Sequence, residues 1–242
     1  MVNWHEFRVS FGMKNLLSSI LILFSVSSFA QNLTQQVDEF LKTHVRNGLV
    51  DYKTIKENPS KLNAILNQFN RAPVLEGDNE KAFLINAYNL FVIKGIVDHY
   101  PVEGPLKIGG FFDEKMFRLR GKGITLNTLE KEMLYKQFPD PRLHFALVCA
   151  AVDCPELAAM AYDGSKLESQ LARKTRSVIN NQNFIRLNGP NAEVSQIFEW
   201  YADDFGGKEQ VIPFIQQYLL KKVKLNPGYS FYEYDWSLNE QK

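Results

Sequence analysis

Between Lys81 and Val97 the chain carries Phe83, Leu84, Ile85, Leu90, Phe91 and Ile93 among other apolar residues, spread over every face of a helix. A helix that is apolar all round belongs in the core, with other elements packed on all sides of it. Asn86 and Asn89 interrupt it three residues apart, so they share one face. A buried amide without partners costs about 1–3 kcal/mol. Both amides must therefore be bonded, either to the backbone of a neighbouring loop or to something in a cleft. Pro101 and Pro105 end the element.

The remaining sequence supplies short elements to surround this helix. Helical spacing of apolar residues runs over 33–45, stopped by Gly48, over 61–69 after Pro59 and Ser60, and over 167–179. Residues 116–120 and 124–126 flank Gly121-Lys122-Gly123 as a hairpin; 183–187 and 192–195 flank Asn188-Gly189-Pro190-Asn191 as another. Asn127, with Glu130 three residues on, has capping-box spacing and predicts a helix to about Gln137. Residues 143–151 are continuously apolar and read as a strand covered on both faces. Pro155 then suits the first turn of a helix, with Cys154 near its N-cap. Residues 197–205 read as a short helix closed by Gly206-Gly207, 210–220 as a terminal helix, and 223–225 and 231–234 as strands. No repeat, low-complexity tract or linker intervenes. The expectation is one α+β domain over residues 31–242, with helices around a small, mostly antiparallel sheet.

Residues 13–30 place Lys14 before an apolar run from Leu16 to Val26, with small Ser28 and Ala30 ahead of a cleavage point. About eleven apolar residues suit a secretory signal and fall short of the ~20 that span a bilayer. Residues 1–12, with Glu6 and Arg8, fit such a leader poorly, which makes Met13 the expected start and Gln31 the first mature residue. No cysteine follows the run to carry a lipid. The expectation is a periplasmic or secreted protein without a stable membrane anchor. Removing Glu6, Arg8 and Lys14 with the leader leaves 26 basic and 26 acidic residues. That balance gives no support to a basic surface for nucleic acid or to a tether to anionic lipid.

The segment from His144 to Pro155 holds both cysteines and one of four histidines. A helix N-terminus lowers the pKa of a thiol, which would favour Cys154 as a nucleophile. Its base must be an imidazole within about 3–4 Å. On one extended strand at about 3.3 Å per residue, His144 lies far from Cys154, and Cys149 points to the opposite face. A local dyad therefore needs a bend, whereas His99 and His44 are free of that objection. The His-x4-Cys-x4-Cys spacing lacks a second pair to complete a tetrahedral set, so neither metal nor cofactor is expected. The alternative is a Cys149–Cys154 disulfide. It requires Cα atoms within about 7 Å and would stabilise by roughly 2 kcal/mol or less.

Residues 82–93 with Asn86 and Asn89 resemble the central helix of the family called domain of unknown function 547. So do Asp140 to His144 with Cys149, then Asp153-Cys154-Pro155 and Tyr162, residues 126–134 with Glu130, residues 197–205, and Tyr234 to Asn239. The likeness runs from about Gly48 onward. The family's proposed kinship with papain-like and transglutaminase-like folds implies a thiol-centred cleft by analogy. Members commonly carry Trp where this chain has Leu84, and many carry His where it has Lys131. A site that used that imidazole is altered here.

The leading reading is a thiol hydrolase or transferase acting on peptide or amide bonds, with a peptide, amide or envelope component as partner. Cys154 would be the nucleophile and His144 or His99 the base. Asn86, Asn89 or Glu130 would orient the imidazole or stabilise an oxyanion. The alternatives are a non-catalytic module of the cell envelope and a degenerate enzyme fold kept for structure. The module would bind through Phe198, Trp200, Tyr201, Tyr229, Phe231, Tyr232 and Trp236. Amino-terminal sequencing of exported material is expected to begin at Gln31 or an adjacent residue; retention of residues 13–30 would remove the export reading.

Overall fold

The computed structural model describes residues 28–242. The leader read at 13–30 lies outside them except for its last three residues. In chain order the structure has helix α1 (28–44), a small hairpin of β1 (Val45–Arg46) and β2 (Leu49–Val50), and helices α2 (Tyr52–Glu57), α3 (Ser60–Arg71) and α4 (Gly77–His99). The hairpin of β3 (Phe117–Leu119) and β4 (Lys122–Ile124) leads into α5 (Thr128–Tyr135), a π-helix, and α6 (Leu143–Ala146). Helix α7 (Leu167–Ile179), strands β5 (Ile185–Asn188) and β6 (Asn191–Val194), helices α8 (Ile197–Trp200) and α9 (Val211–Tyr218), and strand β7 (Tyr229–Phe231) complete it. The architecture is α+β.

Helix α4 is the axis, buried without a break from Glu80 to Ile93. It packs against α2, α3, α5 and the 3-10 turn Gly164–Lys166. Leu62, Ile65 and Phe69 of α3 bury one face, with Phe69 4.9 Å from Phe83. Each polar residue of α4 in this interior is matched. Glu80 receives two bonds from the Arg120 guanidinium, both 2.7 Å, and that guanidinium also lies 4.5 Å over Phe83. Lys81 donates to Asp140 at 2.6 Å; Asp140 also takes Arg142, which forks onto Glu168. Asn86 bonds both backbone groups of Tyr162, at 2.8 and 2.9 Å. Asn89 donates to the Ala146 carbonyl at 2.9 Å and accepts from the Val148 N–H at 3.1 Å. Both amides thus tie down loops.

The hairpin expected at 116–126 forms as β3 and β4, but its turn is the two residues Arg120 (φ 50°) and Gly121 (φ 75°) rather than Gly121-Lys122-Gly123, so the return strand starts at Lys122. Such a turn matches the right-handed twist of the strands. The second pairs β5 with β6, and β7 joins β6 in parallel. Residues 223–225 form no strand.

Three further expectations are corrected. Residues 143–151 are not a strand: Leu143 to Ala146 make one helical turn and the rest runs irregularly. Unbroken apolarity reports burial on all sides and does not separate strand from helix. Asn89 supplies the backbone partners that a neighbouring strand would otherwise provide. No helix begins at Pro155. Ala150 (φ 63°) turns the chain, and the Cys154 N–H closes onto the Ala151 carbonyl at 3.2 Å. The cap of α5 is Thr125 rather than Asn127: its Oγ1 accepts from the Thr128 N–H at 3.1 Å, leaving Glu130 free to face inward.

A strap over residues 234–241 closes over the turn at 150–153. Val152 N–H donates to Ser237 O at 2.8 Å, and Asn239 N–H to Ala150 O at 3.1 Å. The buried Tyr52 hydroxyl donates to Asn239 Oδ1 at 2.7 Å. Gly104 lets the strap approach, since a Cβ there would stand 2.2 Å from the Trp236 carbonyl oxygen. Asn89→Ala would orphan the Ala146 carbonyl and the Val148 N–H. It is expected to cost about 1–3 kcal/mol per orphaned group in urea unfolding, and a total loss under about 1 kcal/mol would overturn the clamp.

Candidate functional site

A cavity of about 270 Å³ lies at the side of α4. Tyr88 comes from α4, Glu130 from α5, and His144 from α6. The following loop supplies Leu147, Val148, Cys149 and Cys154; α8 and the residue after it supply Ile197, Trp200 and Tyr201; the strap adds Tyr234 and Trp236. The Asn89 clamp ends one residue before Cys149, so the central helix sets where that thiol stands.

Both thiols are free. The Cys149 N–H donates to Cys154 Sγ at 2.8 Å, and Cys149 Sγ lies 3.3 Å from the Tyr234 hydroxyl. Cys149 is partly exposed and Cys154 buried. Burial disfavours either thiolate. At Cys149 that effect is outweighed by hydrogen bonds from Cys154, Tyr234 and the Ala151 backbone, so its pKa falls below the ordinary thiol value. Cys154 moves the other way: burial and the neighbouring Cys149 push its pKa well up. The helix that was to activate Cys154 is absent, and the thiolate character belongs to Cys149.

His144 is buried, stacked 4.6 Å from Tyr135 and with the tilted Tyr201 ring 3.9 Å away, and its Nε2 lies 2.9 Å from Asp204 Oδ2. Burial lowers its pKa to about 4 against the pull of Asp204, so the ring is neutral at neutral pH. It shares the cavity wall with both cysteines, but no hydrogen bond joins it to either sulfur. His99 is exposed at the end of α4, with Nδ1 2.9 Å from the Gly95 carbonyl oxygen. Neither His99 nor His44 lines the cavity, and Asn86 and Asn89 are spent on backbone. Glu130 does line it. Burial raises its pKa, opposed by the hydroxyls of Tyr201 and Tyr88, so it faces tyrosines rather than an imidazole. Lys131 is exposed outside the cavity, and Leu84 lies in the core.

The aromatic residues divide. Phe198 and Tyr232 are buried, and Tyr229 and Phe231 are half-buried on β7. Trp200, 44% exposed, stacks on Trp236 at 5.6 Å and lies 5.0 Å from Tyr234 at the cavity mouth. Sequence reasoning missed Tyr88, Asp204 and Tyr234 as site residues. Tyr88 stood between the two flagged asparagines, and Asp204 carries no spacing signal that relates it to His144. Among the described residues no helix is long and apolar enough to cross a membrane.

Residues 74–179 match the model of the family described as "Protein of unknown function, DUF547". The match includes α4, α5, α6, His144 and both cysteines; Trp200, Asp204, Tyr234 and Trp236 lie beyond it. No curated protein and no solved structure matches the chain.

The buried, neutral His144 has a measurable consequence. Unfolding returns it to an ordinary pKa of 6.5, so the unfolded chain binds the extra proton between there and about 4. Stability is expected to fall as pH drops through that window, by up to about 3 kcal/mol. His144→Phe should flatten this part of a plot of urea midpoint against pH; an unchanged slope would assign it to other groups.

Proposed function

We propose that this chain is an exported thiol enzyme of the cell envelope, which hydrolyses or transfers at peptide or amide bonds with Cys149 as nucleophile. The observation that carries the reading is the surroundings of Cys149. It is a partly exposed residue on a cavity wall, and the charged form of its thiol is favoured by hydrogen bonds from Cys154, Tyr234 and the Ala151 backbone. A depressed pKa in an accessible cavity is what distinguishes a reactive cysteine from an inert one.

In this scheme the Cys149 thiolate attacks the carbonyl carbon, the C–N bond breaks as the departing amine takes a proton from water, and the resulting thioester passes its acyl group to water or to a second amine, which regenerates the thiolate and returns the proton to solvent. An ionised carboxylate can only accept, so Asp204 fixes the proton of His144 on Nε2 and leaves Nδ1 as the basic nitrogen. Its lowered pKa leaves the imidazole unprotonated at neutral pH and makes it a weak base, so the nucleophile depends on the hydrogen bonds at Cys149 rather than on His144. Cys154 positions and activates its neighbour. The exposed Trp200 favours the second reading, a non-catalytic binding module, and the same test separates the two.

Alkylation by iodoacetamide is expected at Cys149, half-maximal below the pH of about 8.5 seen for a model thiol. The rate should fall as pH drops through the lowered pKa. Cys149→Ser should abolish labelling, and Cys154→Ala should move the half-point upward by removing one donor. Preferential labelling of Cys154, or a half-point no lower than the model thiol's, would overturn the enzyme reading and favour the module.

A further inference from the structure

We infer that the cavity before Cys149 selects a substrate carrying a primary ammonium group on an aliphatic stem, with Glu130 as its counter-ion and Trp200 and Trp236 as cation-attracting faces. This rests on the thiol reading and adds the charge class of what that site takes.

The first observation is an imbalance of buried charge. Buried carboxylates are normally paired, and the other acidic groups of the interior obey this rule. Glu80 has Arg120, and the largely buried Asp140 has both Lys81 and Arg142. Glu130, 6% exposed, has no cationic partner among the described residues. It meets the neutral hydroxyls of Tyr201 and Tyr88. Lys131 beside it in sequence is exposed and outside the cavity. No Lys or Arg lines the cavity at all. A cationic group entering there completes the one unmatched buried carboxylate, whereas an anion meets a charge of its own sign without compensation.

The second observation is the shape and chemistry of the path to it. Leu147, Val148 and Ile197 make apolar wall that suits methylenes. At the mouth Trp200 and Trp236 stack 5.6 Å apart, and Tyr234 lies 4.8 Å from Trp236. Indole faces attract ammonium groups through their quadrupole. The hollow adjoining this mouth, about 500 Å³ and sharing Tyr234 and Trp236, carries Glu103, Glu233 and Asp235 against Lys107. The approach therefore has the same sign of charge as the floor.

The test uses two thiol reagents of opposite charge, 2-aminoethyl and 2-sulfonatoethyl methanethiosulfonate, on the whole protein. The ratio of their rates at Cys149 is expected to exceed the ratio for glutathione by about tenfold or more, and Glu130→Gln should return it toward the glutathione value. Should that variant not fold, the native protein still decides. Cadaverine is expected to slow iodoacetamide labelling of Cys149, and glutarate, of similar length and opposite charge, is not. Labelling by both reagents at the glutathione ratio, or equal protection by cadaverine and glutarate, overturns the ammonium inference and leaves the thiol reading standing. If neither reagent reaches Cys149, the thiol reading fails. The ammonium inference is then decided by whether cadaverine, and not glutarate, quenches tryptophan fluorescence in a Glu130-dependent way.

Discussion

Everything in this fold depends on satisfying the polar groups that α4 carries into an apolar interior. A buried donor or acceptor without a partner costs more than a typical hydrogen bond contributes, so each polar side chain on the helix dictates where another segment runs. Glu80 holds the β3–β4 hairpin through Arg120, and Lys81 holds the loop ahead of His144 through Asp140. Asn86 and Asn89 hold the backbone at Tyr162 and at Ala146 to Val148. The helix acts as a template: its apolar surface supplies the driving force, and its few polar atoms supply the addresses.

The candidate site is a product of that template. Two thiols five positions apart, in one turn, acquire opposite acidities because they receive different bonds. Cys149 collects donors at the edge of a cavity, and Cys154 sits behind it in the interior. The same separation of environments sets His144 apart from an ordinary histidine: two tyrosine rings and burial outweigh Asp204. Environment, rather than residue type, allocates the chemical roles.

The central helix, the two main hairpins, α7 and the α+β class were legible because each leaves a periodic or turn signature in local sequence. The segment 143–151 was not, because its backbone is satisfied by Asn89, a side chain more than fifty positions earlier. Uniform apolarity then looks the same for a turn of helix and for a strand. The capping-box spacing at Asn127 and Glu130 misled for a related reason: Thr125 took the cap, and tertiary contact with two tyrosines drew Glu130 inward. Glu130, His144 and the cysteines were identifiable by residue type. Tyr234 and Asp204 entered the site through folding alone, and nothing in their spacing marks them.

The strap has a consequence for how the molecule matures. Tyr234 and Trp236 wall the cavity, and Asn239 bonds both Tyr52 and the turn at Ala150. These residues leave the ribosome after nearly all the rest of the fold. A growing chain can bury α4 and form its clamps while Cys149 still lacks the phenol that helps to lower its pKa. Chemical competence at that sulfur is thus postponed until the strap has been made, so products truncated before residue 234 would carry the scaffold without an assembled thiol centre.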